Sequence, residues 1–351
     1  MGKKRIAIVG AGAVGAHVGG YLTRNGKDVT LIDPWPEHVE VMRTRGLTLT
    51  GLTPPECFTV NCRAIHVTEL QAATRKGLFD IAFVSTKSYD TIWATAMIKE
   101  YLAPNAFVVS LQNAINEERI AGVVGWGKTV GCIASTISVE LREAGHVYRN
   151  VQLGGARHTV FRVGEVHGRK TPRVEEVAAM LACVDSVKVT DNLWGERWTK
   201  LGVNCMRNPV SAATGRGGNA NDRDPVTRRL AIRLAGEAVR IGKAHGYQLE
   251  KMYGMEPELL MAAEGGDKSA METCESIMLE ATKFRNDEQR PSMGQDILKG
   301  RRTEIDYLNG MVVAKAAELG LKVPANEGIA AVVRRVERGE VAPSPELVSG
   351  I

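Results

Sequence analysis

An apolar run, Arg5-Ile6-Ala7-Ile8-Val9, passes directly into Gly10-Ala11-Gly12-Ala13-Val14-Gly15, and no other feature constrains the fold of this chain as strongly. The spacing predicts a buried strand, a tight turn and the start of a helix. Gly10 allows the turn, Gly12 lets backbone N–H groups approach a pyrophosphate, and Gly15 lets the helix pack closely on the strand. The helix is predicted to run to about Asn25, where Gly26 closes it, with its positive end facing the phosphates. A second apolar run, Val29-Thr30-Leu31-Ile32, ends at Asp33. Strand, glycine turn, helix, second strand and acidic residue, in that order, predict a dinucleotide site made by Gly10, Gly12, Ala13, Val14, Gly15 and Asp33. A carboxylate at position 33 accepts hydrogen bonds from the adenosine ribose hydroxyls and repels a 2′-phosphate. The expected cofactor is therefore NAD, preferred over NADP. Two alternatives stay open: Asp33 could cap the turn into Pro34-Trp35-Pro36, and Arg43 or Arg45 could accommodate a phosphate.

At 351 residues, with 44% hydrophobic and 24% charged side chains, the chain suits two soluble domains of ordinary size. The formal net charge is +5, but Arg228-Arg229, Arg301-Arg302 and Arg334-Arg335 are separated pairs on predicted helices. They read as solvated faces, not as a nucleic-acid stripe, while a mildly positive cleft would suit an anionic cofactor and substrate. Six cysteines without a CxxC pair and seven dispersed histidines predict reduced thiols and no metal. Met1-Gly2-Lys3-Lys4 leads straight into the first strand, and no apolar stretch approaches the ~20 residues a membrane span needs. A cytoplasmic protein is expected. A second copy, in a homodimer, is an expected partner; nucleic acid and membrane are not.

Through the first half, apolar runs alternate with helical patterns. Ile81–Val84, Phe107–Leu111 and Thr129–Ala134 read as buried strands because they lack polar alternation. Two more strands, around residues 145–148 and 159–164, are expected to pair antiparallel. A helix over 172–183 and a last strand at 187–190 complete a doubly wound sheet. Beyond Asp191 no strand pattern survives. Asp224-Pro225 starts a helix that stops at Gly246, Thr303-Glu304-Ile305-Asp306 reads as a capping box ahead of a helix ending at Gly320, and Pro324 opens another. The expected architecture is an α/β Rossmann-type N-terminal domain, residues 1–190, followed by an all-helical C-terminal domain, 191–340, and a loose tail, 341–351.

Lys200, Asn204 and Asn208 are spaced four apart and share one face of a predicted helix. One lysine and two amides in a column make poor core but a good lining for a polar pocket; a solvated face would more often combine Glu with Lys. Downstream lie Pro291-Ser292-Met293-Gly294-Gln295-Asp296 and Thr303-Glu304-Ile305-Asp306-Tyr307-Leu308-Asn309-Gly310. With these motifs the chain resembles the ketopantoate reductases (2-dehydropantoate 2-reductases). The Lys-x-x-x-Asn-x-x-x-Asn column, Lys87-Ser88-Tyr89-Asp90-Thr91 and Gln112-Asn113 match the same family, over about residues 5–338.

The resemblance implies hydride transfer between a nicotinamide and a small 2-oxo or 2-hydroxy acid. An NAD-dependent dehydrogenase of a different hydroxy acid or alcohol, in a catabolic route, is the alternative. Reducing a ketone leaves an alkoxide that needs a proton and a nearby positive charge, and an ammonium can supply both, so Lys200 is the expected general acid. Glu304 is implied to hold Lys200 or contact the substrate hydroxyl. Asn204, Asn208 and Ser292 are implied to bind the substrate's hydroxyl and carboxylate, Asn113 to lie by nicotinamide and substrate, and Lys87 to support the cofactor side. Asp296 reads as structural. The chain departs from the family pattern in the loop after Gln112-Asn113, where glycine is usual and Ala114 and then Asn116 stand, at Pro291, in the length of 256–290, and at Asp33. From the Ala114–Asn116 loop and 256–290 an acid larger than ketopantoate, or differently substituted, is expected.

Overall fold

The run that opens the chain forms a strand with both faces buried. A computed structural model of the protein describes residues 3–351, and the chain divides between Leu193 and Trp194 into two compact units. The strands of the first unit are β1 (Arg5–Val9), β2 (Asp28–Asp33), β3 (Leu47–Thr50), β4 (Phe58–Val60), β5 (Arg63–His66), β6 (Phe79–Val84), β7 (Leu102–Ser110), β8 (Thr129–Ala134), β9 (Val139–Glu143), β10 (His146–Arg149), β11 (Phe161–Glu165) and β12 (Val187–Thr190). Its helices are α1 (Ala13–Arg24), α2 (Pro36–Thr44), α3 (Leu70–Ala73), α4 (Thr91–Lys99), α5 (Glu117–Val124) and α6 (Pro172–Leu181).

Side chains alternate along β1. Ile6 and Ile8 enter a core with Val18 and Leu22 of α1 and Val177 and Leu181 of α6. Ala7 and Val9 enter another with Ala94 and Ile98 of α4 and Ile120 of α5. Helices on both faces leave no side of the strand for water, which is why its sequence is continuously apolar.

The main sheet has the order β12-β11-β8-β7-β6-β1-β2-β5. All its pairs are parallel except β8 with β11. The chain runs outward from β1 through β2 to β5, then returns to β6 on the other side. The crevice where order reverses, at the carboxyl ends of β1 and β6, is where open α/β sheets bind ligands.

The strands expected to pair around 145–148 and 159–164 lie in different sheets. Phe161–Glu165 pairs with β8 and β12, whereas β10 joins a second sheet of order β4-β3-β10-β9. Its antiparallel partner is β9, reached by a two-residue turn with Gly145 at φ +73°. Val139-Glu140-Leu141-Arg142-Glu143 is too polar to read as a buried strand, which is why the true hairpin escapes a search for apolar runs.

The second unit is helical: α7 (Leu193–Thr214), α8 (Gly218–Arg223), α9 (Pro225–Ala244), α10 (Pro257–Glu264), α11 (Lys268–Ala281), α12 (Ser292–Leu298), α13 (Asn309–Glu318) and α14 (Pro324–Glu337). Asp224 caps α9 by accepting from the N–H groups of Val226 and Thr227. The long segment 256–290 contains α10 and α11, with Asp267 capping the latter. Thr303 does not form the expected capping box. Its N–H and hydroxyl donate to Glu337, a short 3-10 turn occupies Ile305–Tyr307, and the helix begins only at Asn309. Nor is the tail loose. Val348 is buried, the N–H of Ser344 donates to the Ala213 carbonyl at 2.8 Å, and Arg233 donates to the Ile351 carbonyl at 2.7 Å. One buried apolar side chain, one backbone bond and one bond from the Arg233 side chain outweigh what Pro343 and Pro345 suggest. Among the described residues no helix is long and apolar enough to cross a membrane.

Candidate active site

Each glycine of the turn between β1 and α1 is required for a different reason. Gly10 has φ +90°, and a Cβ there would lie 2.8 Å from the backbone nitrogen of Thr86. A Cβ on Gly15 would run into the carbonyl oxygen of Gly10 and the hydroxyl of Ser85. Gly12 is the opposite case: no atom lies within 4 Å of the position its Cβ would take. That open cradle lies at the N-cap of α1, with half-buried Ala13 and Val14 in the first turn behind it. Undersaturated N–H groups and the positive helix end there fit a pyrophosphate.

Asp33, at the end of β2, is buried, and both its oxygens accept from backbone. Oδ2 takes the N–H of Ala11 at 2.8 Å and Oδ1 that of Trp35 at 2.9 Å. The carboxylate therefore does cap the turn toward Trp35, and it also holds the glycine turn. Of the two neighbouring arginines, Arg43 is engaged by Glu69 at 2.6 Å and the Ala64 carbonyl at 3.2 Å, while Arg45 is exposed.

Lys87 and Asn113, both half-buried, follow the carboxyl ends of β6 and β7. Buried amides stitch these two loops together. Gln112 Nε2 donates to the Thr86 carbonyl at 2.8 Å and to Thr91 Oγ1 at 2.9 Å. Asn116 Nδ2 donates to Ser88 Oγ at 3.0 Å and to the Asn113 carbonyl at 2.9 Å. Asn116 was legible only as a departure in the loop; the structure makes it the brace that fixes the Asn113 backbone.

Between them, Ala114 adopts φ +62°, the left-handed region that glycine favours. The loop thus keeps a glycine-like backbone without the glycine. That conformation costs an alanine about 1–2 kcal/mol, against about 0.8 kcal/mol for the buried methyl a glycine would lack. Ala114→Gly is accordingly expected to raise stability by about 0.5–1 kcal/mol in chemical denaturation. A destabilised variant would show that the methyl outweighs the strain.

In the helical unit, α7 carries Lys200, Asn204 and Asn208 on successive turns. The asparagines are buried and the lysine is half-buried. Trp198 anchors this helix, fully buried, with Nε1 donating to the Ala238 carbonyl of α9 at 2.7 Å. Ser292, the first residue of α12, donates to Asn208 Oδ1 at 3.4 Å, so these two predicted substrate ligands do meet.

Pro209 lies inside α7. Proline has no N–H, so the carbonyl four residues back, that of Cys205, loses its helical partner. Asn309 fills the gap: its Nδ2 donates to the Cys205 carbonyl at 3.2 Å and to Asn326 Oδ1 at 2.9 Å. Asn326 is held in turn by buried Glu237, which also accepts from the N–H groups of Ala325 and Asn326 at 2.9 Å. Glu304 sits five residues before Asn309 and is 4% exposed, its carbonyl accepting from Tyr307 and Leu308. The segment that carries Glu304 is thereby tied to α7 between Asn204 and Asn208. Asn309 stands in the quoted motif, but its role becomes visible only beside Pro209. Asn326 and Glu237 left no signal in the sequence.

The cofactor-side residues all belong to the first unit and Lys200, Asn204, Asn208, Ser292 and Glu304 to the second. The family model described as Ketopantoate reductase PanE/ApbA matches residues 6–161, and Ketopantoate reductase PanE/ApbA C terminal matches residues 192–337. The chain belongs to the ketopantoate reductase family. It is similar to the 2-dehydropantoate 2-reductase of Pyrococcus horikoshii, 32% identical over 336 residues that cover 95% of this chain and 97% of the relative. Among solved structures it resembles the 2-dehydropantoate 2-reductase from Geobacter metallireducens GS-15, with TM-score 0.77 at 26% identity over 94% and 99% of the two chains. It shares the fold of the dimeric ketopantoate reductase from Staphylococcus aureus, TM-score 0.70 at 17% identity over 96% and 100%. Like other ketopantoate-reductase-like oxidoreductases, it moves hydride between a nicotinamide cofactor and a small 2-oxo or 2-hydroxy acid.

Proposed function

We propose that the chain reduces 2-dehydropantoate, or a 2-oxo acid of the same build, with NADH. The observation that carries this is the column on α7: an ammonium and two buried amides one turn apart, the last joined to Ser292. Asn204, Asn208 and Ser292 bind the hydroxyl and carboxylate of the acid. Lys200 gives a proton to the oxygen of the reacting carbonyl, and its charge stabilises that oxygen as it becomes an alkoxide. Glu304 holds the ammonium or the substrate hydroxyl in place. On the other side, Gly10, Gly12, Ala13, Val14 and Gly15 cradle the pyrophosphate, Asp33 faces the ribose, Lys87 supports the cofactor, and Asn113 lies between nicotinamide and substrate. A bound reduced nicotinamide supplies the hydride.

Neither sequence departure argues for a different acid. Ala114 is buried in a glycine-like backbone, and the long segment 256–290 is built into α10 and α11. The preference for NADH rests on a carboxylate pinned by two N–H donors at the end of β2, beside which a 2′-phosphate meets repulsion and desolvation. Arg43 is taken by Glu69. We also propose a homodimer, the state of the S. aureus fold relative, to be read by light scattering.

Steady-state kinetics on 2-dehydropantoate with each cofactor, alongside fluorescence titration, test the proposal. We expect kcat/KM of about 10⁴ M⁻¹s⁻¹ or more with NADH and a lower Kd for NADH than for NADPH. Tighter NADPH binding would show Arg45 overriding Asp33, and efficient turnover only on another acid would displace 2-dehydropantoate.

A further inference from the structure

Side chains from elsewhere in the first unit hold both backbone polar groups of Ala11, the N–H of the peptide before it and the carbonyl of the peptide that joins it to Gly12. The Ala11 N–H donates to Asp33, as described. The Ala11 carbonyl lies 2.8 Å from Nε2 of His38, a fully buried residue on α2 stacked on Trp35 at 5.4 Å between ring centroids. The other ring nitrogen, Nδ1, lies 2.8 Å from the backbone nitrogen of Gly145, in the turn between β9 and β10. A backbone N–H can only donate, so Nδ1 accepts and carries no proton. Nε2 therefore bears the ring hydrogen and donates it to the Ala11 carbonyl.

This bond controls more than one oxygen. In a planar trans peptide the C=O of one residue and the N–H of the next point in opposite directions, and the chain contains no cis peptide among its described residues. Fixing the Ala11 carbonyl against His38 turns the Gly12 N–H the other way. Gly12 is the residue whose outward side is open. The second sheet fixes the imidazole in its turn, because Gly145 also accepts from the N–H of Thr48 in β3 at 2.8 Å.

We propose that His38 is a positioning residue for dinucleotide binding: by holding the Ala11 carbonyl it sets the plane of the Ala11–Gly12 peptide and aims the Gly12 N–H at the pyrophosphate. The inference rests on the reading of this turn as the nicotinamide cofactor site. It assigns a purpose to the β9–β10 hairpin, which braces the ring through Gly145.

Two substitutions separate the two bonds. The amide nitrogen of His38→Gln reaches the place of Nε2 and keeps the bond to Ala11. The oxygen of His38→Asn takes the place of Nδ1 and keeps only the bond to Gly145. NADH affinity is measured by fluorescence titration on both variants, with folding checked by circular dichroism. His38→Asn is expected to raise the Kd for NADH about tenfold, the scale of one buried hydrogen bond, and His38→Gln to stay within about threefold of wild type. If the Asn variant does not fold, His38→Phe replaces it, keeping the stack on Trp35 but neither bond, with the same tenfold expectation. Equal Kd values for the Gln variant and the Asn or Phe variant would overturn the proposal, since a merely structural imidazole gives no reason for the two ends to differ. A wild-type protein that bound neither NADH nor NADPH would instead remove the cofactor reading itself, and the proposal with it.

Discussion

Lys200→Ala is expected to lower turnover by about 10²–10⁴-fold while leaving NADH affinity within about twofold. The donors proposed for the pyrophosphate are backbone N–H groups at the start of α1, which the substitution leaves as they are. Under the proposed role of Lys200, what is lost is the proton and positive charge for the oxygen that becomes an alkoxide. Lys200→Arg separates these two contributions. A guanidinium keeps the charge but does not give up a proton near neutral pH, so partial recovery would weigh charge against proton transfer. Single-turnover reduction at saturating NADH reads both variants. If Lys200→Ala turns over at close to the wild-type rate, Lys200 is not the general acid.

The largest effect on stability is expected at a buried ion pair in the first unit. Arg149 on β10 and Asp185, which follows α6, are 1% and 8% exposed and meet at 2.5 Å. Asp185 also accepts from the N–H groups of Gly154 and Ser186 at 2.9 and 2.6 Å. Asp185→Asn would leave the guanidinium buried without its counter-charge, at a cost of about 3–5 kcal/mol. Burial by itself would raise the Asp185 carboxyl; the Ser186 and Gly154 N–H groups and Arg149 outweigh it and hold the carboxyl below its usual value. A depressed carboxyl stabilises the fold above its unfolded pKa of about 3.9 and loses that contribution as pH falls through the folded value.

His17 on α1 acts over a higher window. Burial first, then the charge of Arg149, push its pKa from 6.5 down to about 3. Below pH 6.5 the unfolded chain takes up a proton that the folded one refuses, so stability falls continuously between pH 6.5 and about 3. Urea denaturation at pH 7.5, 5.5 and 4.5 should show that decline in wild type and a flatter profile in His17→Leu. Identical profiles would mean that His17 is not held neutral, and a loss under about 1 kcal/mol in Asp185→Asn would mean that the pair is not isolated from water as described.

The central sheet was legible because burial on both faces leaves no choice of residue. The apolar runs Ile6–Val9, Ile81–Val84 and Thr129–Ala134 all fall inside strands, β1, β6 and β8, with β6 starting two residues earlier, at Phe79. The second sheet was not, because its strands are shielded on one side only and its contacts are distant. Thr48 of β3 pairs with His146 of β10, almost a hundred residues on, and no local pattern announces such a partner. The same divide runs through the candidate site. A column spaced four apart on one helix is written in the sequence, and so is a glycine turn. The groups that hold them in place, Asn116, Asn309, Glu237 and His38, are ordinary polar residues whose meaning is a partner many residues away. Ala114 shows the limit from the other side: its departure from glycine is written in the sequence, but its left-handed backbone, the kind glycine favours, is not.

Pro209 sets helix and site at odds within one residue. Any residue with an N–H at that position would close the rung to Cys205 and remove a penalty of about 3 kcal/mol for proline in a helix interior. The same N–H would compete for the carbonyl that Asn309 now occupies. Selection for thermal stability alone would discard the proline early, and the gain would come from loosening the segment that carries Glu304. A stabilised version of this chain is therefore best sought at positions such as Ala114, with the gap in α7 left as it is.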